Sequence, residues 1–115
     1  MKNRDDALAV LRQYNESEAL IRHAYAVEGV MRHFAEKFGE DAGYWGLVGL
    51  LHDVDYEKWP EEHLKVAPRL LAEAGVDADF IRAVEAHGWG LCSDVKPEKK
   101  MEIVLYTIDE LTGLV

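Results

Sequence analysis

Four residues of this chain have the types and the setting for metal chemistry. His52 and Asp53 stand side by side at the end of the most apolar run in the sequence, Ala42 to His52, which carries no charged side chain. Burying an imidazole and a carboxylate there is costly unless they are paired or hold a cation. His23 and Asp109 border the apolar sides of two other helical stretches. Two neutral imidazoles and two carboxylates make a mixed nitrogen–oxygen set that suits Mn, Fe, Co, Ni or Zn, and suits Ca less. Each residue alone is an ordinary polar side chain. Converging on one buried place, they mark a functional site.

The elements that must bring them together are helical, because apolar residues recur at three- and four-residue spacing and no stretch alternates with period two. A first helix is expected from about Arg4 to Tyr14, with Ala7, Leu8, Val10 and Leu11 inward. Ser17 is placed as the N-cap of a long second helix that ends near Phe38, and Gly39 follows where a helix terminates. Its apolar stripe is read as Leu20, Ala24, Val27, Met31, Phe34 and Phe38, with His23 at the border and His33 on the solvated side. The run from Ala42 to His52 is apolar nearly all round and belongs at the centre of a bundle. Gly43, Gly46 and Gly49 recur every third residue, a smooth face for close helix contact rather than a phosphate loop.

Pro60 with Glu61 and Glu62 reads as the first turn of a further helix ending at Gly75, with a kink or break at Pro68. Asp77 caps a short helix, where Val76 and Ile81 can form a staple and Phe80, Val84 and His87 share a side. Pro97 is expected to open the last helix, which buries Met101, Val104, Leu105, Ile108 and Leu111 and carries Asp109 beside that face. The expected fold is all-α, a compact single-domain bundle of about five or six helices with its core over 18–115.

Composition narrows the partners. The chain has 115 residues, one domain's worth, and 49% are hydrophobic, enough for a core without staples. Its formal charge of −9 repels a phosphate backbone, so nucleic-acid binding is not expected. A small phosphorylated substrate remains compatible, since a metal in a pocket supplies local positive charge. Cys92 is the one cysteine, which suits a reducing compartment. Neither a membrane span nor a secretory leader is apparent, so a cytoplasmic protein with no membrane partner is expected.

The order His23, then Leu51-His52-Asp53, then a distant Asp109 resembles the H…HD…D signature of the HD superfamily of metal-dependent phosphohydrolases. The resemblance runs from about Glu18 to Val115 and includes the segment Arg22 to Val27. Gly49 to Tyr56 looks like the signature of HDIG-domain proteins, and Asp109 to Leu114 like the end of that subgroup's domain. The resemblance implies a divalent metal (Mn, Fe, Co, Ni, Zn or Mg) held by His23, His52, Asp53 and Asp109. It implies hydrolysis of a phosphate ester: a phosphomonoester, a nucleotide or a similar small metabolite. Asp53 is then the catalytic ligand, bridging if two ions are bound. His63 and His87 match positions at which binuclear members hold a second metal or contact the phosphate. His87-Gly88 stands where several of those members have two adjacent histidines, a departure that weakens the case for a second metal. Asp55 and Glu57 are candidates for proton transfer, and Lys58 and Arg69 for substrate contact. A non-catalytic metal-binding or interaction module and a di-iron oxygenase on the same scaffold are the alternatives. The Gly-Tyr-Pro run of cyclic-dinucleotide hydrolases is missing.

Overall fold

Four short polar side chains start the helices by accepting an orphan backbone N–H. Asn3 accepts from Asp6 N at 2.9 Å and opens α1, Arg4–Tyr14. Ser17 opens α2, Glu18–Lys37, accepting from Leu20 N at 3.4 Å. Asp41 opens α3, Ala42–Leu51, accepting from Tyr44 N at 3.1 Å. After a single 3-10 turn over Pro60–Glu62 and α4, Ala67–Glu73, Asp77 opens α5, Ala78–Ala86, accepting from Phe80 N at 2.8 Å. The last helix is α6, Lys100–Thr112. The computed structural model describes residues 3–90 and 93–112, with side chains as far as Ile108. Among the described residues there is no strand; Trp89 and Ser93 form an isolated bridge. No described helix is long and apolar enough to cross a membrane.

The expected centre of the bundle is where the apolar run predicts. Val48, Leu50 and Leu51 of α3 are fully buried, and α3 packs against α1, α2 and α5. α6 closes the bundle against α2 and α5. Two of the three spaced glycines set the closest approach. A Cβ at Gly49 would lie 3.0 Å from the Val27 carbonyl oxygen, and one at Gly46 2.7 Å from Arg32 Cγ. Gly43 faces its own cap, Asp41, instead. An ion pair between Arg4 and the buried Glu28, at 2.7 Å and 2.9 Å, ties α1 to α2.

Three local expectations are corrected. The buried stripe of α2 is Ile21, Ala24, Val27, Met31 and Ala35, while Phe34 is half-buried and Phe38 is 41% exposed. The glycines of α3 meet the Val27, Met31 and Arg32 side of α2, and the aromatic pair lies on the flank, where Lys100 Nζ is 4.9 Å from the Phe38 ring centre. The segment after Pro60 is not one kinked helix. It breaks before Pro68, at Leu64, whose φ is +67°. Pro68 then sits in the first turn of α4, where no N–H is needed. Finally, α6 begins at Lys100 and not at Pro97. The buried Glu102 accepts from Glu98 N and Lys99 N at 3.0 and 3.1 Å, a reach-back cap that sets the start of the helix.

Candidate metal centre

Helix ends build the site. His23 projects from the second turn of α2, His52 caps the C-terminus of α3, and His87 caps the C-terminus of α5. Asp53 follows in the turn, and His63 follows the 3-10 turn. The last carbonyls of a helix have no partner within it. His52 Nδ1 donates to the Gly49 carbonyl, and His87 Nδ1 to that of Val84, which also accepts from His87 N at 3.4 Å. His63 Nδ1 donates to Asp55 Oδ1 at 2.6 Å. A donating Nδ1 leaves the lone pair of a neutral ring on Nε2, the arrangement of a metal-ligating histidine.

All these Nε2 atoms converge on Asp53. Its Oδ2 lies 3.2 Å from His52 Nε2 and 3.6 Å from His23 Nε2. Its Oδ1 lies 3.2 Å from both His63 Nε2 and His87 Nε2. His23 Nε2 and His52 Nε2 are 3.2 Å apart. Two trios able to hold an ion therefore share one carboxylate: His23, His52 and Asp53 on one side, and Asp53, His63 and His87 on the other. Nitrogen lone pairs and carboxylate oxygens at these separations repel unless positive charge lies among them. The donor set fits a divalent ion, with imidazoles and a carboxylate suiting a borderline transition metal.

The electrostatics agree. Burial pushes the Asp53 carboxyl up, but the charge of His52 and hydrogen bonds from His52, His63 and His87 outweigh it and hold the group well below the usual carboxylate range. Burial pulls His63 down, yet its hydrogen bonds to Asp53 and Asp55 outweigh that and raise it to about 9. Without a cation, protons serve as the positive charge, so metal and protons compete for the same lone pairs. His52 and His87 are buried, whereas the side chains of His23 and Asp53 are 22% and 20% exposed, so a small molecule can reach them.

The other residues singled out in the sequence fall as follows. Asp109 lies on α6 with its side chain outside the described residues, as does Cys92 altogether. Asp55 is fully buried and accepts from Leu64 N at 2.7 Å and Ala67 N at 2.9 Å as well as from His63. That capture bends the chain at Leu64 and orients the His63 ring, a role that nothing in the Asp53-Val54-Asp55 run announces. Glu57 accepts from Glu16 N and Ser17 N at 2.8 and 2.6 Å, bracing the entry to α2. Lys58 Nζ sits 5.8 Å from the Tyr14 ring centre. Arg69 is exposed on the first turn of α4, and His33 is exposed on α2 with its ring edge-on to Phe34. Sequence reasoning did not find the cavity of about 450 Å³ that His63 lines together with Lys65, Trp89 and Ser93.

No solved structure matches the chain. The family model described as HD domain matches residues 20–112, from the start of α2 to the end of α6. That span holds every histidine of the cluster and the His52-Asp53 pair at its centre, and the protein belongs to the HD domain family.

Proposed function

We propose that the protein is a metal-dependent phosphohydrolase, of the HDIG type, acting on a small phosphate ester such as a phosphomonoester or nucleotide. The observation that supports this best is the sharing of the Asp53 carboxylate between two imidazole pairs. On this reading His23, His52 and Asp53 hold one divalent ion, with Asp109 of α6 as a further ligand, and Asp53, His63 and His87 hold a second. A divalent ion supplies Lewis acidity, which makes a water nucleophile accessible near neutral pH and polarises a phosphoryl oxygen. Asp53 sets the spacing of the site by facing both trios at once. The Gly49 and Val84 carbonyls and Asp55 keep three imidazoles in the right tautomer and orientation without rearrangement, a preorganised polar site. The net charge of −9 turns away nucleic-acid backbones, leaving a small phosphorylated molecule as the partner and the cytoplasm as the proposed location.

The test joins metal analysis of protein purified without chelator to hydrolysis of p-nitrophenyl phosphate with added Mn. Metal-dependent release of p-nitrophenol that is lost in Asp53→Ala supports the proposal. A chain without stoichiometric metal would be a binding module. One that holds iron, consumes oxygen and leaves phosphoesters intact would be an oxygenase.

A further inference from the structure

The cavity beside the cluster has a chemistry of its own. His63 lines it, and the same ring places Nε2 3.2 Å from Asp53 Oδ1, so the cavity meets the second trio at that ring. Its outer wall is Trp89, an indole 39% exposed. Tyr106 lies 6.1 Å away centre to centre and Lys96 Nζ 5.9 Å from the ring centre. Gly90 turns the chain at φ +89°, and hydrogen bonds from Gly90 N to Ser93 O and from Ser93 N to Gly88 O, at 3.1 and 3.2 Å, close the loop that carries the ring. A solvent-facing aromatic beside the cluster offers a flat ligand group a stacking surface.

Charge sets a second condition. Lys65 is the one cation among the described lining residues, and Glu61 and Asp94 bring two carboxylates. Lys96 Nζ, 5.9 Å from the Trp89 ring centre, balances the second of these charges, and the two carboxylates favour hydrogen-bond donors such as hydroxyl or amino groups. Its volume of about 450 Å³ is within the range for a small-molecule site and suits one ring, one sugar-sized group and one phosphate.

We infer that this cavity seats the alcohol part of the substrate, and that the substrate is a phosphate monoester bearing a single phosphate, a flat ring and several hydrogen-bond donors. The ring lies on Trp89, the donors face Glu61 and Asp94, and the phosphate reaches the cluster past His63. This assignment rests on the phosphohydrolase reading for the place of the phosphate, and its test does not need turnover.

The experiment is calorimetric binding to the Mn-loaded protein of three probes: adenosine 5′-monophosphate, adenosine 5′-diphosphate and ribose 5-phosphate. The monophosphate should bind more tightly than both others. In Trp89→Ala the ratio of affinities for adenosine 5′-monophosphate and ribose 5-phosphate should fall by about tenfold, the scale of a lost base–aromatic stack, and Trp89→Phe should restore most of it. In Glu61→Gln with Asp94→Asn the preference for one phosphate over two should shrink severalfold. An unchanged ratio in Trp89→Ala, or a preference for the diphosphate in the parent protein, overturns the inference, as does failure of the parent to bind the monophosphate. Trp89-dependent binding without hydrolysis would keep this assignment and sink the hydrolase. Hydrolysis of p-nitrophenyl phosphate with no role for Trp89 would do the reverse.

Discussion

Asparagine at position 55 separates orientation of the site from its mere presence. Asp55 is a buried carboxylate with three donors aimed at it: Leu64 N and Ala67 N on Oδ2, and His63 Nδ1 on Oδ1. An amide of the same shape has one oxygen only. If its NH2 replaces Oδ2, two buried backbone N–H groups lose their acceptor, at about 1–3 kcal/mol each. If its NH2 replaces Oδ1, the backbone pair is kept and only His63 faces a donor. His63 escapes by changing tautomer, so that Nδ1 accepts and Nε2 carries the proton. The second placement costs about 1.5–3 kcal/mol, the worth of one hydrogen bond to a charged group, and is favoured. Its consequence is specific, because a protonated Nε2 has no lone pair for a metal. Asp55→Asn should therefore fold, lose about 1.5–3 kcal/mol in urea denaturation, and bind the second Mn equivalent about 10–100-fold more weakly, with the first little changed. Isothermal titration with Mn reads both sites. Two unaltered affinities in a folded Asp55→Asn protein would refute the orienting role of Asp55.

The metal-free protein should lose stability as pH rises from about 6.5 to about 9, because His63 is raised from 6.5 to about 9 in the fold and its contribution is complete only below the lower value. Asp53 is shifted the opposite way, and its contribution fades only below its ordinary 3.8, so it does not cancel the effect in that window. Denaturation midpoints measured with chelator should show the decline and those with saturating Mn should not; equal profiles would count against ligation by His63. Gly49→Ala should cost about 1–3 kcal/mol, since the new Cβ meets the Val27 backbone at 3.0 Å, whereas Gly29→Ala in open space should stabilise by about 0.4–1 kcal/mol. Urea midpoints that move together for the two would contradict the α2–α3 contact. Asp77→Ala removes both the cap of α5 and the 2.6 Å hydrogen bond from Tyr44, and should lower stability by about 1–2 kcal/mol without changing metal content. His87→Ala should keep the first Mn, weaken the second and slow hydrolysis by about 10²-fold or more, while His33→Ala leaves metal and turnover alone.

The parts of this molecule legible in its sequence are those decided locally. Ser17 and Gly39 bracket α2 by capping chemistry, and the uncharged run to His52 places the His52-Asp53 pair at the end of the most buried helix. The parts that were not legible are decided by contacts across the fold. Leucine carries no turn signal, yet Leu64 takes a left-handed conformation because Asp55 captures its N–H and that of Ala67. Pro97 looks like a helix opener, but Glu102 sets the start of α6 three residues later. The period of α2 marks an apolar side without saying which of its flanks meets the glycines of α3. Asp55 and Glu57 show the same limit. Their types invite proton transfer, and the fold employs one to hold His63 and the other to brace the N-terminus of α2.

The account turns on one carboxylate serving two imidazole pairs, and the most direct measurement is the number of Mn ions bound per chain at saturation. The parent protein should bind two, His63→Ala with His87→Ala should bind one, and Asp53→Ala should bind none with measurable affinity. A parent that binds no ion, or an Asp53→Ala protein that binds as many as the parent, would contradict it.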